Sequence, residues 1–186
     1  MSDAADAALA VVTALSDASI PCAIGGALAL NWWSEPRGTV DADINVFVSD
    51  SAFGRVLDAL QAAGCTLDRS ECMSRFHRGD VAIARLDGVR VDLFVPSIPF
   101  YEEAARTVQS AHIRGASVPV LSAEALAVFK LLFFRNKDLQ DLRTLVRRRP
   151  GLDRAYIRAR IAEMMGEDDE RVVEWDAICR SDEANH

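Results

Sequence analysis

Residues 41–48, Asp-Ala-Asp-Ile-Asn-Val-Phe-Val, alternate between two kinds of side chain. In a β-strand alternate residues share a face. Ala42, Ile44, Val46 and Val48 therefore make an apolar face, and Asp41, Asp43, Asn45 and Phe47 make the other. The pattern predicts a strand over 41–48 with a core on one side only. It also sets two carboxylates side by side, roughly 7 Å apart at ~3.3 Å per residue. Like charges this close repel unless a cation sits between them, and carboxylate oxygens suit Mg²⁺. The run Val89–Val95 repeats the design, with Val89, Val91, Leu93 and Val95 on one face and Arg90, Asp92 and Phe94 on the other. It follows Val81–Leu86 across Asp87-Gly88, a strong hairpin signal. Laid beside the first strand, it brings Asp92 to the same face as a third carboxylate.

The rest of the chain supplies helices around these strands. Helices are expected over Asp3–Leu15, Ala27–Trp33, Ser51–Ala63 and Phe100–Thr107, with a short strand at Cys22–Ile24 and a second hairpin over His112–Leu121 around Gly115. Ser122 can cap a helix from Ala123 to Arg135, and helices near Asp138–Arg148, Asp153–Met165 and Asp169–Arg180 follow. The order is mixed α/β first and all α afterwards, an α+β chain. At 186 residues it is one domain or one with a small appendage. Half of the residues are hydrophobic and 26% are charged, which excludes disordered and low-complexity classes. The four cysteines (Cys22, Cys65, Cys72, Cys179) form no C-x-x-C pair, and His77, His112 and His186 offer no zinc spacing. An acidic amino terminus and the lack of an apolar run of ~18 residues point to a cytoplasmic protein with reduced thiols and no membrane span.

The net charge of −7 argues against a protein that coats nucleic acid by charge alone. Charge is nonetheless uneven: Lys130 to Arg149 holds seven basic residues against two acidic, a net +5. Within it, Lys130 is the one charge in Ala125–Phe134, a helix apolar all round and so buried. A lone buried lysine is costly unless it is paired or snorkels to the surface. If the helix continues, Lys130, Lys137 and Asp141 share a face. Gly25-Gly26 opens a helix at a strand end, where backbone N–H groups can hold phosphate; a plain strand–helix turn reads equally well. Trp32 and Trp33 are expected to pack the short helix. His77 and His112 read as surface loop or hairpin residues, Arg75, Arg78 and Arg85 as solvated, and Arg147–Arg149 as a helix end that also suits RNA.

The series Ile24-Gly25-Gly26, Arg37-x-Thr39-x-Asp41-x-Asp43 and Val91-Asp92-Leu93 resembles the nucleotidyltransferase (polymerase-β-like) superfamily. The R-x-T-x-D-x-D form, with Leu121-Ser122-x-Glu124 and Lys130 to Leu142, resembles its AbiEii branch, the MenT-like toxins of bacterial toxin–antitoxin systems. The resemblance implies a small mixed β-sheet flanked by helices over residues 1–121, followed by a helical C-terminal part over 122–186 packed on it. It implies that Gly25, Gly26, Arg37 and Thr39 contact the nucleotide, and that Asp41, Asp43 and Asp92 bind one or two Mg²⁺ ions. Lys130 matches a functional lysine of the branch, and either Asp138 or Asp141 its aspartate. Gly26 departs from the serine that many members carry, removing one possible hydroxyl contact to phosphate.

The function so implied moves a nucleoside monophosphate from an NTP to a hydroxyl, releasing pyrophosphate. By the branch resemblance the acceptor is RNA, the 3′ end of tRNA, and the protein a toxin neutralised by an antitoxin partner. Two other readings stand beside it: transfer to a small molecule or a partner-protein side chain, and a non-catalytic nucleotide-binding module.

Overall fold

The computed structural model describes residues 3–184, so His186 lies outside the described residues. The chain divides into two units: residues to Leu28 with Gly38–Leu121, and Ala29–Arg37 with the chain from Ser122 onward. The division differs from a simple boundary after residue 121, because the short segment 29–37 groups with the C-terminal helices.

The first unit holds a seven-stranded mixed sheet. Its strands are β1 (Cys22–Ile24), β2 (Asp41–Val46), β3 (Thr66–Leu67), β4 (Ala82–Leu86), β5 (Val89–Phe94), β6 (Gln109–Ile113) and β7 (Ala116–Val120). Their order across the sheet is β3-β4-β5-β2-β1-β7-β6. At the centre β2 and β5 run parallel, with Asp41 opposite Arg90 and Asp43 opposite Asp92. β1 lies antiparallel to β2 and parallel to β7. The alternation works as the sequence predicts: Ala42, Ile44, Val46, Val91 and Leu93 are fully buried. Helix α1 (Ala4–Asp17) covers them with Val11, Val12 and Leu15, packing across β1, β2, β5 and β7. Asp3 caps that helix by accepting from the N–H groups of Ala5 and Asp6.

Helices α3 (Asp50–Ala62), α4 (Arg69–Arg78) and α5 (Phe100–Arg106) complete the unit. The β4–β5 turn places Asp87 and Gly88 at φ +51° and +85°, the pair of positive values that a tight two-residue hairpin demands. Two differences from the sequence reading are instructive. β2 stops at Val46, two residues early, although the Phe47 N–H still donates to the Pro21 carbonyl. The stretch 66–78, read without structure, forms β3 and α4. Its helix has a polar sequence and buries Cys72, so its apolar periodicity is too weak to see; its clear signals are the Asp68 cap and Gly79 in the left-handed region. His77 therefore sits on a helix, 2.8 Å from Asp50. Arg75 pairs with Glu71, and Arg78 with Asp80 and Glu71, whereas Arg85 sits on β4 and donates to the Gly88 carbonyl.

The second unit is helical: α6 (Ala123–Phe133), α7 (Asn136–Arg148), α8 (Arg154–Met165) and α9 (Glu170–Glu183), joined by most of α2 (Gly26–Trp33). Ser122 caps α6 by accepting from the Ala125 N–H at 3.1 Å, and the helix is buried on nearly every side. It ends sooner than expected. Phe134 adopts φ +53°, and α7 restarts two residues later. Lys137 is exposed on that new helix, so it does not share a face with Lys130. Trp175 of α9 is 1% exposed, and its indole N–H donates to the Arg154 carbonyl. Trp32, by contrast, is 42% exposed and meets Trp33 edge to face, so the expected packing role falls mainly to Trp33. All four cysteines are free; burial pushes the Cys22 thiol up to about 12 and Cys179 to about 11. No helix among the described residues is long and apolar enough to cross a membrane. Replacing Trp175 with Ala should leave a cavity in the second unit and cost about 3–5 kcal/mol, measured as a lowered denaturation midpoint.

Candidate active site

The parallel register of β2 and β5 turns sequence spacing into a patch. Asp41 and Asp43 stand on the sheet face opposite α1, with Arg90 and Asp92 directly across the ladder. The next strand outward contributes Arg85 opposite Arg90 and Ile83 opposite Asp92. The sheet face is therefore a small grid, with two carboxylates on β2, a cation and a carboxylate on β5, and a further cation on β4. Arg90 Nε donates to Asp92 Oδ1 at 2.6 Å. That bond and the Asp92 charge, opposed by burial, raise the Arg90 pKa; Asp41 and Asp43 add to the rise.

Gly26 is built into this patch. Its φ is +53°, and a Cβ placed there would lie 1.7 Å from Asp43 Oδ2. The Asp43 carboxylate thus occupies the space that any side chain at 26 would need. Gly25 is held differently: its N–H donates to the Asp43 carbonyl at 2.8 Å, so that amide extends the sheet and is already engaged. A Cβ at 25 would press on the Asn45 amide at 2.4 Å. The Thr39 hydroxyl donates to the Asp41 carbonyl at 3.0 Å, fixing the entry to β2.

Among the described residues, no three His, Cys, Asp or Glu side chains gather as a ready-made metal cage. Mg²⁺ does not demand one, since it is commonly held by one or two carboxylates with waters and substrate phosphates. The Asp41 and Asp43 pair on one strand face fits that requirement by donor type. Asp92 has the right chemistry, but its carboxylate is tied to Arg90.

The other residues singled out by sequence meet in the second unit. Lys130 is 4% exposed, so it does not snorkel to water. Its ammonium lies 2.6 Å from Asp141 and 3.4 Å from Asp138, which are themselves 6% and 1% exposed. Both aspartates left open by the sequence therefore bind the lysine. Arg37 grips Asp141 with Nε and Nη2, each at 2.9 Å, and Arg135 donates to Asp138 at 2.6 Å. The backbone of Arg37 is clamped as well, through two hydrogen bonds with the Asn31 side chain. Burial alone would raise the Asp141 pKa, but the hydrogen bonds and charges of Arg37 and Lys130 hold it below the usual carboxylate range. The break at Phe134 lets α7 fold back so that Asp138 and Asp141 meet Lys130. The sequence places a helix end near Arg135, but the shared face of Lys130 and Asp141 holds only for a helix that continues, and spacing does not show the fold-back.

The same unit also neutralises much of the basic stretch. Arg148 and Arg147 face Glu35, Arg143 pairs with Glu174, and Arg149 stacks over Trp33 at 4.4 Å.

The aminoglycoside-2''-adenylyltransferase family matches residues 7–145, well over half of the chain. The chain belongs to this family. The expectation of a nucleotidyltransferase is met at that level, and the family that matches is not the toxin branch that the motifs resemble. Among solved structures, the solution structure of the antibiotic-resistance factor ANT(2'')-Ia is 14% identical, with a TM-score of 0.53 over 95% of this chain and 91% of that one. The crystal structure of ANT(2'')-Ia in complex with adenylyl-2''-tobramycin is 16% identical, with a TM-score of 0.57 over 95% of this chain and 97% of that one. At these identities the likeness is one of fold, a mixed sheet followed by helices. No curated protein matches the chain.

Two outcomes are expected. Lys130→Met should cost about 3 kcal/mol or more, because two buried carboxylates lose their shared cation, and the cost should shrink when Asp141→Asn is added. The Asp141 pKa is depressed in the folded state, so its contribution is present above the unfolded value near 3.8 and is lost as pH falls through the folded one. Acid titration of unfolding free energy should show a flatter loss in Asp141→Asn than in the unmodified protein.

Proposed function

We propose that this protein is a Mg²⁺-dependent nucleotidyltransferase that moves a nucleoside monophosphate from an NTP to a hydroxyl of a small cationic molecule. The observation that carries the reading is the Asp41–Asp43 pair on β2, with Asp43 packed against Gly26, in a chain of the aminoglycoside-2''-adenylyltransferase family. In the reaction the acceptor hydroxyl loses its proton to solvent as its oxygen bonds to the α-phosphorus, the bond from that phosphorus to the β-phosphate oxygen breaks, and pyrophosphate leaves. Asp41 and Asp43 would hold Mg²⁺, which neutralises charge on the phosphates and the leaving group when bound. Gly26 leaves room for the Asp43 carboxylate, which a side chain at 26 would displace. The Thr39 hydroxyl, donating to the Asp41 carbonyl, fixes the segment that enters β2.

The choice of acceptor rests on charge. The chain carries −7 overall, and Arg147 and Arg148, two of the three arginines read as suited to RNA, face Glu35. A protein that grips an RNA backbone needs cations free to replace counterions. A cationic small molecule needs the reverse. ANT(2'')-Ia, whose structure carries adenylyl-2''-tobramycin, is a relative in fold with such an acceptor. Transfer to the 3′ end of tRNA, with an antitoxin partner, remains the reading carried by the R-x-T-x-D-x-D resemblance.

The test is direct. Purified protein with Mg²⁺ and each α-³²P-labelled NTP is offered tobramycin in one arm and total tRNA in the other. Label on the aminoglycoside that Asp41→Asn and Asp43→Asn each reduce by about 10³-fold, near 4 kcal/mol of transition-state stabilisation, supports the proposal. Label on tRNA would transfer the function to the RNA reading, and nucleotide binding without label on either would leave a binding module.

A further inference from the structure

The carboxylate face of the sheet carries its own cation. Asp41, Asp43 and Asp92 project from two neighbouring parallel strands, and Arg90 projects among them, opposite Asp41 and bonded to Asp92 at 2.6 Å. The geometry is asymmetric. On the far side of Arg90 lies Arg85, its partner across the β4–β5 ladder, whose guanidinium turns to the Gly88 carbonyl, whereas the charges that act on Arg90 are those of Asp92, Asp41 and Asp43. The Arg90 side chain is 41% exposed and that of Asp92 15%, so the arginine reaches in from the rim to the more sheltered carboxylate. Three anions in so small an area would otherwise repel one another, and the guanidinium relieves that repulsion. Any divalent cation that takes up Asp41 and Asp43 meets the positive charge of Arg90 at once.

We infer that Arg90 is a tethered counter-ion of the carboxylate face, which competes with the divalent cation and has to give up Asp92 before Asp92 can serve as a ligand. The inference rests on the nucleotidyltransferase reading for the use of that face, and it assigns to Arg90 a positioning role that no sequence motif carries. It accounts for Asp92 being of the right type and on the right strand yet not gathered into a metal cage. It also means that the free protein binds a divalent cation measurably, but less tightly than the carboxylates would without Arg90.

The test is Mn²⁺ binding to the full chain without nucleotide, followed by the loss of the free-ion electron paramagnetic resonance signal. Arg90→Gln is expected to tighten Mn²⁺ binding by roughly fivefold, the change that a half-exposed ion pair is worth. Arg90→Lys, which keeps the charge, should stay near the unmodified protein. Arg90→Thr, a residue suited to a strand, serves as a second neutral variant and should match Arg90→Gln. Equal affinity in the unmodified protein and both neutral variants overturns the competition. If Asp41→Asn then still abolishes binding, the nucleotidyltransferase reading stands without it. Absence of Mn²⁺ binding in every variant overturns both together.

Discussion

The parallel ladder between β2 and β5 is the joint on which the chemistry depends. It lies at the centre of the sheet, three strands from one edge, and its register decides which side chains are neighbours. With Asp43 opposite Asp92, two separate stretches of sequence deliver their carboxylates to one face and their apolar residues to the other. A slip of β5 by one residue would send Val91 and Leu93 to the solvent face and bury charge against α1. The buried apolar set therefore locks the register, and the locked register brings Arg90 to Asp41. Stability and the arrangement of charge are consequences of a single alignment.

Much of this was legible in the sequence because β-strands carry their own ruler. The period of two separates Ala42 and Ile44 from Asp41 and Asp43 without any knowledge of partners, and Asp87-Gly88 announces the hairpin that presents Asp92. The helical part was harder. The apolar run around Lys130 reads correctly as a buried helix, but its end at Phe134 depends on a left-handed residue that no glycine marks. The aspartates that satisfy Lys130 were named from resemblance, whereas the arginines that share them could not be placed by spacing. Arg37 lies more than a hundred residues from Asp141 in sequence and meets it only in space. Helix α4 was missed for a further reason: it is held by a cap at Asp68, a glycine at 79 and ion pairs, and it buries little.

The two clusters of charge illustrate different uses of the same residue types. In the helical unit Lys130, Asp138 and Asp141 are withdrawn from water and each charge has an opposite neighbour, so removing one member is severe while the whole set contributes modest net stability. On the sheet face, Arg90 and Asp92 keep some exposure. There an ion pair is weak enough to exchange. The first cluster suits holding a segment in place, and the second suits yielding to an incoming charge.

The contact between Gly26 and Asp43 ties two distant positions into one inherited unit. A side chain at 26 and a carboxylate at 43 in its present rotamer claim the same volume, and the backbone at 26 is already in a conformation that other residues resist. Drift at either position is therefore conditional on the other. A serine introduced at 26 needs the turn relaxed and the aspartate swung aside, so that single replacement demands two coordinated adjustments.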